Sequence, residues 1–110
     1  MLMLVGGFGI YYYRPKKQKR TESIYTHALN AMVRGDTRTA LNNLRAVVKQ
    51  DTNHINAYLQ MGDILREEGN AQAAVKIHQS LTVRPNLTHD VRRDIHQSLA
   101  LDFEQMDYLN

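Results

Sequence analysis

The feature that most constrains the fold of this chain is a self-match at a spacing of 34 residues. Displaced by that spacing, the following residues of one copy fall on those of the next: Ala28, Gly35, Ala40 and Leu44 on Gly62, Gly69, Ala74 and His78. In each copy a small residue is followed seven positions later by glycine and twelve positions later by alanine. Small residues let two helices approach closely, and glycine permits a tight turn between them. The pattern therefore predicts repeated helical hairpins.

A period of this length resembles the tetratricopeptide repeat. The resemblance implies an all-α fold, a tetratricopeptide-repeat α-solenoid of about two and a half helical hairpins, with repeats over 21–54 and 55–87 and a partial third over 88–110. The first helix is predicted from Thr21 and the fourth is predicted to stop at Pro85. Ala100 is taken as the third-repeat equivalent of Gly62, which predicts about four extra residues there. Because such repeats normally need about three copies to bury a core, we expect the chain to be part of a longer protein.

The amino-terminal residues form an uncharged segment followed by a basic one. Residues 1–13 carry no charge and end in Tyr11, Tyr12 and Tyr13, and the next seven include Arg14, Lys16, Lys17, Lys19 and Arg20. Tyrosine favours the membrane interface and basic residues are retained on the cytoplasmic side, so this order predicts a membrane-anchor helix over 1–13 and a juxtamembrane segment over 14–20. The repeats would then face the cytoplasm at a bacterial inner membrane.

Length leaves other interpretations of this segment open. Thirteen helical residues reach roughly 20 Å, against roughly 30 Å of hydrocarbon, so a full span requires bilayer thinning or further residues. A secretory signal peptide would place its basic residues before the apolar run, which is the reverse of the order here. A start without regular structure is the remaining alternative.

The distribution of charge bears on the class of partner. Beyond residue 20, nine Lys and Arg face eleven Asp and Glu, so the repeat region has no basic face for nucleic acid. The basic segment could bind anionic lipid headgroups. A small nucleic-acid-binding protein is the alternative from another class, and its binding would depend on residues 14–20 and fall steeply with salt.

The sequence contains no recognisable constellation for catalysis or metal binding. Cysteine is absent, and no two of the five histidines have the three- or four-residue spacing of a helical metal site. The serines lack the context of a nucleophile elbow. We therefore expect no catalytic residue, metal, cofactor or small-molecule substrate, and His78 is interpreted as a partly buried packing residue with a local hydrogen bond.

The first helix of each hairpin in such a solenoid lines the concave face, which is the usual protein-binding surface. In the second repeat the outward positions of that helix are Asn56, Gln60, Asp63, Arg66 and Glu67. These residues are the predicted protein-binding site, and an ordinary solvated helix face is the alternative. Apolar residues near the end of the chain, Leu99, Phe103 and Leu109, predict possible self-association.

The second half resembles one particular family. The residues that carry the resemblance are 76–81 (KIHQSL), 84–88 (RPNLT) and 100–103 (ALDF), and they are similar to the repeat region of the lipopolysaccharide assembly protein B family. The resemblance implies a non-enzymatic adaptor, anchored in the inner membrane, that works with the membrane protease FtsH to control degradation of LpxC and so regulates lipopolysaccharide synthesis. The family's later repeats and its carboxy-terminal metal domain have no counterpart in these residues. A generic tetratricopeptide scaffold for another envelope complex shares every feature except these runs.

Overall fold

A computed structural model of the chain describes residues 16–109. This part contains no strand and consists of five α-helices in the following order: α1 (Lys16–Val33), α2 (Thr37–Gln50), α3 (Ile55–Glu67), α4 (Ala71–Thr82) and α5 (His89–Leu109). The all-α prediction is confirmed for these residues. Successive helices pack against each other, and α3 also contacts α5.

The turns after α1 and α3 have the same construction, 34 residues apart. Gly35 and Gly69 adopt φ values of 76° and 91°, a left-handed conformation that glycine adopts without steric cost. The next residue closes the turn, because the Asp36 amide donates to the Ala31 carbonyl and its counterpart, the Asn70 amide, donates to a carbonyl of the preceding helix. These are the bonds of a glycine-terminated helix end. The predicted interruptions at both glycines are confirmed.

Each of the three middle helices begins at a side chain that accepts a backbone hydrogen bond. Asp36 accepts from the Thr39 amide, Asn70 from the Ala73 amide, and His54 from the Ala57 amide through Nδ1. Such caps satisfy amides that have no partner within the helix. The same residue positions therefore end one helix and start the next.

The interior consists of two apolar clusters. The larger one joins α1, α2 and α3, and its alanines bring the helices into close contact; its buried members are Ala28, Ala31, Ala40, Leu44, Val47, Ala57, Met61 and Ile64. The smaller cluster joins α3, α4 and α5 through Leu59, Leu81 and Ile95. The second cluster leaves space for polar groups that the first does not contain.

Three boundaries differ from those predicted. α1 begins at Lys16 rather than Thr21, because the Lys, Gln and Arg residues of the basic segment favour helix and extend it. α4 ends at Thr82, before Pro85 is reached. The third repeat has no four-residue insertion, since α5 begins 34 residues after α3. Ala100 is exposed, unlike the buried Gly62 with which the sequence aligned it.

The predictions for the amino terminus concern residues that are largely outside the described part. Residues 1–13, including the three tyrosines, and Arg14 lie outside residues 16–109. Lys16 and Lys17 form the start of α1, and Lys19 and Arg20 are exposed on the same helix. Across residues 16–109, each helix is too short or too polar to cross a bilayer.

Candidate protein-binding groove

The odd-numbered helices α1, α3 and α5 line an open groove of about 470 Å³. We call it the polar groove, and its lining residues are Tyr25, Asn56, Leu59, Gln60, Asp63, Arg66, Asp94, Gln97, Ser98 and Leu101. Four of the five residues predicted for protein binding are among them, because spacings of three and four place them on one face of α3. Glu67 is exposed at the end of α3 and does not line the groove.

Tyr25 joins α1 to α3 at one side of the polar groove. Its hydroxyl donates to Gln60 Oε1 at 2.9 Å, and its ring lies 4.4 Å from that of His54, centroid to centroid. Burial raises the pKa of the Tyr25 phenol above its ordinary value. The tyrosine therefore remains a neutral hydrogen-bond donor at physiological pH, which fixes the orientation of the Gln60 amide.

A second cavity, of about 670 Å³, adjoins the groove and shares Tyr25 with it. Its lining is mostly polar and includes Gln50, Asp51 and His54. Thr21 donates to Gln50 Oε1 at 2.7 Å, which joins α1 to the end of α2. The surface formed by the odd-numbered helices thus extends from α1 to α5.

Arg66 is held in the floor of the polar groove by three acceptors. Its Nη1 lies 3.1 Å from Asp63 Oδ1, 2.9 Å from Asp102 Oδ1 and 3.2 Å from the Ser98 carbonyl oxygen. Its side chain is only 13% exposed. The guanidinium therefore ties α3 to α5, and most of its hydrogen-bonding capacity is used inside the protein.

Beneath this floor His78 and Asp102 form a fully buried pair. His78 Nδ1 lies 2.5 Å from Asp102 Oδ2, and His78 Nε2 lies 3.0 Å from the Leu59 carbonyl oxygen. Asp63 Oδ1 is 3.5 Å from the same Nε2. One imidazole ring thus connects α4 to both α3 and α5. Arg66, Asp63, His78 and Asp102 are called the buried polar cluster below.

Glycine at position 62 makes room for the imidazole ring. A Cβ built on Gly62 would lie 2.3 Å from His78 Nε2 and 2.7 Å from two ring carbons. Such distances are far shorter than van der Waals contact, and the ring is held on both sides. The first repeat has Ala28 and Leu44 at the equivalent positions, both buried in an apolar cluster. The second repeat thus exchanges an apolar pair for a glycine and a hydrogen-bonded histidine.

The sequence interpretation of His78 was wrong in two respects. The ring is completely buried rather than partly buried, and its partner Asp102 is 24 residues away rather than local. Asp102 was not selected as a candidate residue. One signal was available, since Asp102 lies seven positions after Ile95 and therefore on the apolar face of α5. An acidic residue on such a face requires a buried partner.

The apolar residues near the end of the chain differ in exposure. Phe103 is 44% and Leu101 is 42% exposed, whereas Leu99 is partly buried against the smaller core cluster. Leu101 borders the polar groove. The self-association prediction therefore concerns mainly Phe103 and Leu101.

The fold and the groove define a class: an all-α protein of antiparallel helix pairs that presents a polar groove along alternate helices. No protein-family model matches the chain. It is similar to lipopolysaccharide assembly protein B of Escherichia coli K12, and to the proteins of that name from Escherichia coli O6:H1 and O157:H7. Each is 26% identical, over 94% of this chain. The chain spans 28% of the length of these relatives. This distant similarity supports the resemblance inferred from the sequence.

Proposed function

We propose that this chain is a tetratricopeptide-type, non-enzymatic adaptor related to lipopolysaccharide assembly protein B, and that its polar groove binds a segment of a partner protein. The observation that carries the proposal is the lining of the groove. Asn56 and Gln97 present side-chain amides from α3 and α5, with Gln60 between them held by Tyr25. A carboxamide can donate to and accept from a peptide backbone at once, as an extended partner segment requires.

The remainder of the proposal follows from the sequence order and the relatives. Residues 1–13 anchor the chain in a bacterial inner membrane, and residues 14–20 keep the repeats on the cytoplasmic side. By resemblance, the partners are the membrane protease FtsH and its substrate LpxC, and any chemistry belongs to the partner. The role is regulation of lipopolysaccharide synthesis through the stability of LpxC.

Site-specific photocrosslinking in bacterial cells tests the groove. A photoreactive amino acid replaces Gln97, which lines the groove, or Gln79, which is exposed on α4 and serves as the matched control. The proposal expects protein crosslinks from position 97 that are absent or much weaker from position 79. Equal crosslinking from both positions would contradict a specific groove.

The identity of the crosslinked protein separates the two levels of the proposal. Recovery of FtsH or LpxC from position 97 supports the relationship to lipopolysaccharide assembly protein B. Recovery of other envelope proteins in their place supports a generic scaffold and refutes the specific assignment. Repeating the experiment without residues 1–20 tests whether capture requires the anchor.

A further inference from the structure

We propose that His78 and Asp102 together bind one proton beyond that of a neutral imidazole, and that this proton braces α4 against α3 and α5 beneath the polar groove. The site is a proton-binding site made of residues from two helices. Its existence follows from the positions of the hydrogen-bond acceptors around the ring and from the charge of the cluster.

Both ring nitrogens of His78 face oxygen atoms that accept hydrogen bonds. Nε2 faces the Leu59 carbonyl at 3.0 Å and Asp63 Oδ1 at 3.5 Å, so this nitrogen must carry a hydrogen. Nδ1 faces Asp102 Oδ2 at 2.5 Å, and a second hydrogen must lie between these two atoms. A neutral imidazole carries only one hydrogen and an ionised carboxylate carries none. The pair therefore holds two protons, whether as imidazolium and carboxylate or as neutral imidazole and carboxylic acid.

The charges around the ring support the same count. The charged groups in contact with the pair are Asp63 and Arg66 from α3 and Asp102 from α5. Two carboxylates and one guanidinium leave a net charge of −1 when the histidine is neutral. Burying an uncompensated charge is costly, and one added proton makes the cluster neutral.

This proton has a consequence for the groove. Without it, a bare nitrogen would face an oxygen on one side of His78, and the contact between α4 and either α3 or α5 would weaken. Asp102 would then lose the ring that positions it, although it also holds Arg66 in the groove floor. The position of Arg66 in the polar groove is thereby linked to the protonation of a residue that does not line it.

The stability of the full chain should therefore fall as pH rises. Above about pH 6.5 an unfolded histidine is neutral, so the folded chain binds one more proton than the unfolded chain. The folding equilibrium constant should then decrease about tenfold per pH unit until the folded cluster loses the proton. Denaturant unfolding from about pH 6 to about pH 9 measures this slope.

Asp102→Asn is the decisive variant because it supplies a donor without an extra proton. Its amide group can donate to an unprotonated Nδ1 while Nε2–H donates to Leu59, and its oxygen can still accept from Arg66. We expect the variant to be less stable near pH 6 but to lose the pH slope. Asp107→Asn, on an exposed residue of the same helix, should retain it.

Nitrogen-15 NMR of the ring provides a test that does not depend on a variant folding. At neutral pH the wild-type spectrum should show both His78 nitrogens protonated, or Nε2 protonated together with a protonated Asp102 carboxyl in the carbon spectrum. A bare Nε2, or a single proton shared between the two residues, would overturn the proposal. An identical pH slope in the wild type and a folded Asp102→Asn variant would also overturn it.

Discussion

Replacing Gly62 by alanine should severely destabilise the protein, although alanine is the better helix former. The new Cβ would lie 2.3 Å from His78 Nε2, and the ring cannot move aside without losing its contacts to Leu59 and Asp102. At a position without such a neighbour, the same substitution in a helix stabilises by about 1 kcal/mol. The sign of the effect therefore reports whether the imidazole occupies this space.

The magnitude follows from what the ring loses if it is displaced. One neutral hydrogen bond contributes about 0.5–1.5 kcal/mol and one with a charged partner about 1.5–3 kcal/mol. After subtraction of the helix-propensity gain, and with some overpacking strain added, the free energy of unfolding should decrease by about 2–4 kcal/mol. For a domain of this size that corresponds to a decrease of roughly 10–25 °C in Tm.

Thermal unfolding monitored by circular dichroism measures the change. Gly69→Ala is a matched control, because nothing lies within 4 Å of its Cβ and only its φ of +91° opposes alanine. Its cost should be roughly 1–2 kcal/mol and should not depend on residue 78.

A double-mutant cycle with His78→Leu tests the steric argument itself. Gly62→Ala in that background recreates the Ala28 and Leu44 pair of the first repeat, which is fully buried and apolar. The loss of the Asp102 partner is common to both members of the comparison and cancels. Gly62→Ala should then be neutral or stabilising. If it costs as much with leucine as with histidine at position 78, the proposed clash is not the cause.

Three further predictions concern other contacts of the described residues. Arg66→Ala should cost about 3–5 kcal/mol in a denaturant experiment because it leaves a buried carboxylate unpaired, whereas Arg93→Ala, which removes an exposed ion pair, should cost less than about 1 kcal/mol. Burial raises the pKa of Tyr25, so its contribution to stability is present below the ordinary value of 10.0 and is lost as pH rises above it; an ultraviolet phenolate titration should show one late-titrating tyrosine that Tyr25→Phe removes. Hydrogen bonds from the Thr39 side chain and amide lower the pKa of Asp36, so its contribution is present above the ordinary value of 3.8 and is lost as pH falls below it; Asp36→Asn should abolish this acid dependence in a circular-dichroism titration and retain the cap.

The helical hairpins were predictable because their signals are local. Gly35 and Gly69 end helices through their own backbone conformation, and the residues that follow cap the next helix within three positions. The face of α3 that lines the polar groove was also predictable, since the 3.6-residue helical period alone places Asn56 and Gln60 on one side. The sequence could not show that Tyr25 would fix Gln60, because that contact joins two separate helices.

The 34-residue period and its glycine turns by themselves determined an all-α chain of paired helices with a polar face along the first helix of each pair. Only the tertiary structure decided that His78 would contact Asp102 and Leu59, and that Gly62 would make room for it. The physical reason is that turns and helix faces depend on neighbours along the chain. The partner of a buried polar group instead depends on how three helices are placed around it, and a sequence pattern records only that such a group lies on an apolar face.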